Sequence, residues 1–254
     1  MLANKRSISS PLVYVDQSKK FLQLAMAIIA GLFFSLMAHN TNAQSIETPW
    51  VKYDTSHFVL YTDIAEHEAL EMIGQLEVFK ATLQHLLKLD SRVPLPKLTA
   101  YRFNSKSLYA QFVRNQRVGG FYTNTLNGPI IVIGDSQNTL GNDLNIVFHE
   151  YVHFFQRAVA GPSHPTWYSE GIAEFFSSIK IEDEVVKIVQ PPGARLMQLQ
   201  RINMLELDSL FSLQGYDDSD ILNNRMYPSA WLVTHFMMLS SRNGFDDYTS
   251  NLAN

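Results

Sequence analysis

The sequence predicts an α+β fold in which a small mixed sheet packs on helices and is followed by a helical C-terminal part. Three observations carry this: short β-prone stretches in the first half, a long run of helical apolar spacing between two of them, and helical spacing in pieces from Ala194 onward. With 254 residues, 46% of them hydrophobic, the chain has enough material for one domain with a real core.

The first segment reads as an export signal. Lys19 and Lys20 precede an apolar run from Phe21 to Ala38, and Thr41-Asn42-Ala43 offers small residues where a signal peptidase would cut. The expectation is a signal peptide over residues 1–43, a mature domain over 44–254, and an exported protein, periplasmic or extracellular. The alternative is an uncleaved membrane anchor through residues 21–38, since 18 residues sit at the lower edge of a span.

His57 to Asp63 (HFVLYTD) alternates as a strand, and Glu66 to Leu89 places Leu70, Ile73, Leu76, Phe79, Leu83 and Leu86 at helical spacing. Leu98 to Phe103 reads as a second strand and Ser105 to Val113 as a short helix. Phe121–Thr123 and Pro129–Ile133 read as strands around Asn127-Gly128, residues that accept the positive φ of a tight hairpin. A helix from about Leu144 to Val159, capped by Asn142 or Asp143, ends at Gly161-Pro162. Another spans Thr166 to Ile179 with its cap at the start, residues 180–190 alternate as a small hairpin, and Pro228 to Leu239 is the clearest helix thereafter. After Asn243-Gly244 the pattern reads as the start of a fresh helix and the sequence stops at Asn254, so the expectation includes a truncation at the C-terminus as an alternative.

The absence of cysteine excludes disulfides, thiolate ligands and a cysteine nucleophile, so a metal would be held by His, Asp or Glu. Without residues 1–43 the chain keeps 16 basic and 23 acidic residues, a net charge of −7 that argues against nucleic-acid binding.

His149-Glu150-Tyr151-Val152-His153 fits His-Glu-x-x-His in the middle of an apolar helical segment. Residues four apart share a helical face with a rise of roughly 6 Å, from which two imidazoles can converge on one ion. Glu150 lies about 100° round the helix, where a carboxylate can take a proton from metal-bound water. Alone the pattern is only suggestive. A third ligand appears at Glu170 in TWYSEGIAE, on the next helix, with small Gly171 and Ala173 permitting close approach. Two histidines and a glutamate leave a fourth position open, which is the ligand set of catalytic zinc. Glu174, one turn on, can accept a hydrogen bond from the outer nitrogen of a ligand histidine. The bland alternative, a buried helix with incidental histidines, leaves Glu150 uncompensated in an apolar segment.

The pair HEYVH and WYSEGIAEFF, with 16 residues between His153 and Glu170, resembles the gluzincin metallopeptidases, and most nearly the peptidase MA-like families of unassigned activity. The resemblance implies a zincin-like fold, Zn²⁺ on His149, His153 and Glu170, Glu150 as base and acid, and Glu174 as the orienting acid. It also implies that the strand near residue 130 binds substrate backbone as an added strand. The spacing to Glu170 is shorter than in the best-known members, so no specificity pocket carries over. Tyr227, in MYPSAW, resembles a downstream tyrosine that donates to the oxyanion; the alternative is a tyrosine packed at a helix start. His164, Tyr168 and Tyr122 are weaker candidates, and His57, His67, His85 and His235 have no partner at ligand spacing.

The function expected is a zinc-dependent hydrolase cleaving peptide bonds in a peptide or protein substrate. The alternatives are an inactive zincin-like peptide-binding module and a membrane-anchored interaction protein. A non-peptide amide or ester substrate also stays open.

Overall fold

The structure, a computed structural model, describes residues 13–14, 49–88, 94–113, 119–134, 143–161, 164–182, 185–188, 193–213 and 220–240. The export-signal segment, apart from residues 13–14, and the stretch after 240 lie outside the described residues, so the readings placed on them are not addressed. Among the described residues no helix is long and apolar enough to cross a membrane.

Strands β2 (Val51–Asp54), β3 (Phe58–Thr62), β4 (Leu98–Arg102), β5 (Gly120–Thr125) and β6 (Gly128–Ile133) form a mixed sheet in the order β2-β3-β4-β6-β5, and the two-residue β1 (Val13–Tyr14) runs antiparallel along β2. β3, β4 and β6 are mutually parallel, while β2 and β5 are antiparallel to their neighbours. Two parallel strands need a long crossover between them, and α1 (Glu66–Leu86) supplies the one from β3 to β4. The α+β class and the mixed sheet are as the sequence predicts. β2 escapes the sequence reading because four residues with two charges among them carry too short an alternation.

Alternation settles which face is covered. Phe58, Leu60 and Thr62 of β3, Leu98, Ala100 and Arg102 of β4, and Ile131 and Ile133 of β6 are all buried. On them lie Met72, Ile73, Leu76, Phe79 and Leu83 of α1, and the inner face of α3 (Asp143–Ala160). Phe79 stacks on Phe148 of α3 with ring centroids 4.0 Å apart, and Tyr151 meets Phe58 and Phe79 at 5.5 and 5.8 Å. The opposite face carries a smaller cluster of Val132, Phe103, Leu108 and Tyr109, the last two in or at the end of the short helix α2 (Lys106–Tyr109), whose N-cap is Ser105.

The C-terminal part is helical, as predicted: α4 (Thr166–Ser177), a small hairpin of β7 (Lys180–Glu182) and β8 (Val185–Lys187), then α5 (Gly193–Arg201), α6 (Leu207–Ser212) and α7 (Asp220–Ser240). Four local expectations are corrected. The hairpin loop is Leu126-Asn127, with Gly128 alone at a positive φ of +114°. The N-cap position of α4 is Pro165, without a side-chain cap, and Thr166 already lies inside the helix. The helix containing Pro228 starts at Asp220, so Tyr227 lies within it; the polar first turns hid this start, and Pro228 removes one backbone donor there. The strand near residue 130, β6, is paired on both sides, and the sheet edge is β5. β6 is also the more apolar of the two, as befits the strand with neighbours on each side.

α4 lies between α3 and α7, and Gly171 sets how closely α4 and α7 approach. A Cβ there would meet Thr234 Oγ1 at 2.2 Å and the Ala230 carbonyl oxygen at 2.7 Å, and the backbone of α7 cannot yield as a flexible side chain would. Gly74, on the outside of α1, has nothing within 4 Å of such a Cβ. Gly171→Ala is therefore expected to destabilise the fold by about 1–3 kcal/mol in urea unfolding. Gly74→Ala is expected to stabilise it by about 0.5–1 kcal/mol, because alanine loses less chain entropy in a helix.

Candidate metal centre

α3 has two faces. Val147, Phe148, Tyr151, Val152, Phe154 and Phe155 are buried, while His149, Glu150, His153 and Gln156 keep partial exposure along one other side. The apolar residues hold the helix against the core and so aim the His149–His153 face outward. Arg102, buried at the end of β4, fixes the start of α3 by donating from Nε to Asp143 Oδ2 at 2.7 Å, and that carboxylate sits favourably at the positive end of the helix. Gly161, at φ +86°, turns the chain out of the helix at its other end.

α4 brings the third donor. Glu170 Oε2 is 3.2 Å from His149 Nε2, Glu170 Oε1 is 3.4 Å from His153 Nε2, and the two Nε2 atoms are 3.1 Å apart. A tetrahedral zinc with bonds of about 2.0–2.2 Å separates its ligand atoms by roughly 3.3–3.6 Å. The three side chains thus already stand near the edges of such a tetrahedron, and they are the group among the described residues whose donor atoms can share one ion.

The outer nitrogens decide which atoms face inward. Ser169 Oγ donates to Gln156 Oε1 at 3.1 Å, so at 3.2 Å from His153 Nδ1 it accepts, and the proton of a neutral His153 belongs on Nδ1. Glu174 Oε1 lies 3.6 Å from His149 Nδ1, an acceptor-only group that draws the proton of His149 to the same side. With both imidazoles neutral, two lone pairs and a carboxylate would converge, whereas a proton on His149 Nε2 turns its 3.2 Å contact with Glu170 into a hydrogen bond. The group can therefore be satisfied by a proton on an imidazole or by a cation shared among the three side chains.

Charge says the same. Three carboxylates, Glu150, Glu170 and Glu174, gather here, and Glu170 is only 1% exposed. Arg195 of α5 is a permanent cation in contact with one of them: its Nε donates to Glu174 Oε2 at 2.7 Å and its Nη2 pairs with Glu174 Oε1. Arg195 offsets part of this negative charge, and a proton on His149 or a bound cation would offset more of it. Burial opposes the charged form of His149, yet Glu170, with Glu174 and Glu150 behind it, lifts its pKa to about 9. Burial likewise opposes ionised Glu170, but the imidazoles of His153 and His149 hold its carboxyl well below the usual range.

Glu150 stands beside this group. Burial pushes its carboxyl up, against the pull of His149 and His153 and a hydrogen bond from the backbone N–H of Tyr122 on β5. Tyr227 of α7 is also brought in: its ring lies 6.4 Å from that of His149, and burial together with Glu170, Glu174 and Glu150 pushes its phenol far up, so it stays a donor at neutral pH.

The remaining candidates do not join the centre. Tyr122 contributes its backbone, while its hydroxyl donates to Asn124 at 3.0 Å. His164 and Tyr168 stack on each other, 5.4 Å between ring centroids. His57 pairs with Glu77 at 2.6 Å, His235 packs on Trp231, and His67 and His85 are exposed on α1. Sequence reasoning missed Ser169 and Arg195. The position of Ser169, one residue before Glu170 on a helix beside α3, could have flagged it, whereas Arg195 reaches Glu174 only through tertiary packing.

Zinc affinity, read by competition with a chromophoric chelator, is expected to fall about 10–100-fold in Glu174→Gln and in Ser169→Ala, each of which frees an outer imidazole nitrogen. His57→Ala should leave it unchanged.

The chain matches no protein-family model and no curated protein.

Proposed function

We propose that the protein is a zinc-dependent hydrolase of the gluzincin kind, with a zincin-like fold, that cleaves peptide bonds. The observation that carries this reading is the convergence of His149 Nε2, His153 Nε2 and the Glu170 carboxylate, at 3.1–3.4 Å from one another, beside Glu150, an acidic side chain that takes no part in the triad.

When bound, zinc would acidify a water molecule and polarise a carbonyl oxygen. The residues of the chain do the rest. Glu150 takes one proton as the water oxygen attacks the carbonyl carbon, and passes that proton to the departing nitrogen as the C–N bond breaks, leaving a carboxylic acid and an amine. Burial raises its pKa above that of a free carboxyl, which helps it hold the proton between the two steps. Tyr227, kept protonated by its surroundings, donates to the carbonyl oxygen as that atom gains charge.

The substrate reading follows from the sheet edge. β5 is the edge strand, and Tyr122 on it bonds to Glu150 through its backbone N–H, so an extended peptide laid along β5 would bring its carbonyls past the proton-transferring carboxylate. The same role assigned to β6 from sequence passes to β5. Export through residues 1–43 belongs to this reading and is carried by the sequence pattern alone.

Glu150→Gln is expected to retain zinc while peptide turnover falls by about 10²–10⁴, and Tyr227→Phe to lower kcat by about 10²–10³ with little change in KM. Both are measured on a mixture of unstructured peptides with mass-spectrometric detection. Full turnover in Glu150→Gln would remove that residue from the mechanism, and zinc-loaded wild-type protein inert toward every peptide would favour the binding-module alternative.

A further inference from the structure

The most connected side chain around the centre is one that no sequence motif contains. Arg195 lies on α5, and its guanidinium uses three edges: Nε and Nη2 grip the two oxygens of Glu174, and Nη1 donates to Gln198 Oε1 at 2.8 Å. Its Cζ lies over the ring of Tyr227, 5.2 Å from the centroid. Oxygen Oε1 of Glu174, held by Arg195, is also the one that faces His149 Nδ1 at 3.6 Å. One cation therefore meets both the carboxylate beside His149 and the ring of Tyr227.

We propose that Arg195 is a positioning residue, a clamp on α5 that fixes Glu174 against His149 and Tyr227 against the centre at the same time. The proposal rests on the function proposed above and adds a residue and a helix to it. A carboxylate gripped at both oxygens cannot turn about its terminal bond, so Glu174 Oε1 is held where His149 Nδ1 can find it. A guanidinium over the phenol ring draws on the ring's negative face and limits how far Tyr227 can swing. Lysine cannot replace it, because an ammonium is a point charge without two parallel donors or a flat face. Charge also favours the arrangement: Glu174 is 7% exposed, and leaving its carboxylate there without Arg195 would be costly.

The test uses the full chain loaded with Co²⁺ or Zn²⁺, so that most readouts do not depend on finding a substrate. Arg195→Ala is expected to weaken zinc binding about tenfold and to shift the visible absorption bands of the cobalt form, which report how the ligands sit, while the far-ultraviolet circular dichroism stays that of the unaltered chain. Arg195→Lys should behave like Arg195→Ala, and millimolar guanidinium should restore the bands of Arg195→Ala but not those of Arg195→Lys, whose side chain fills the space. Gln198→Ala, which leaves both clamp contacts in place, should match the unaltered chain and serves as the control for damage to α5. Once a peptide substrate is in hand, the loss in Arg195→Ala should fall on kcat and not on KM. Unaltered affinity and bands in Arg195→Ala overturn the clamp alone. Restoration by lysine reduces it to a charge effect and also overturns it. A wild-type chain that takes up neither metal overturns the proposed function together with this inference.

Discussion

Everything around the site answers one electrostatic constraint: three carboxylates are drawn together beside two imidazoles whose Nε2 atoms stand 3.1 Å apart, in a region with little access to water. Left alone, such a group would repel itself apart or capture a proton. The raised pKa of His149 expresses the second tendency. Arg195 offsets part of the charge from one side, and the convergent donor atoms leave a position for a divalent ion on the other. The geometry persists because the scaffold over-determines it: Phe79 and Phe148 lock α3 onto α1, Arg102 and Asp143 tie its first turn to β4, and Gly171 lets α4 lie against α7.

That scaffold separates two tasks. The inner face of α3 belongs to the core, where large buried aromatics make any shift of the helix expensive. The outer face belongs to the site and carries residues chosen for chemistry over packing. Because both faces are on one helix, rigidity of the core is transmitted directly to the spacing of His149 and His153, which is what a preorganised centre requires. The edge strand β5 joins the same unit through the bond from Tyr122 to Glu150, so the place where a peptide would lie and the group that would act on it are fixed to each other.

Much of this was legible in the sequence, and the reasons are specific. His149 and His153 are four apart on a helix whose apolar period is clear, so their shared face follows from helical geometry. Glu170 and Glu174 lie one turn apart on the next helix, but Gly171 between them, expected to let that helix approach α3, is instead the point where α4 meets Ala230 and Thr234 of α7. Strand β3 and helix α1 follow their alternation and spacing closely. Tyr227 reaches the centre even though the start of its helix was placed too late, because its position depends on packing of α7 against α4 and not on where the helix begins.

What was not legible depends on contacts between distant segments. Whether β5 or β6 forms the sheet edge is decided by which of them pairs with β4, and alternation within each strand carries no record of that choice. Arg195 follows a proline-rich break, and its local bond to neutral Gln198 gives no sign of Glu174 or Tyr227, which it meets only when α5 folds back on α4 and α7. The central claim, that this cluster is a zinc centre, is tested most directly by the metal content of the full chain, purified without added metal and after reconstitution, using inductively coupled plasma mass spectrometry. The account predicts about one zinc per chain, lost in His149→Ala. A folded wild-type chain that holds no zinc even after reconstitution would contradict it.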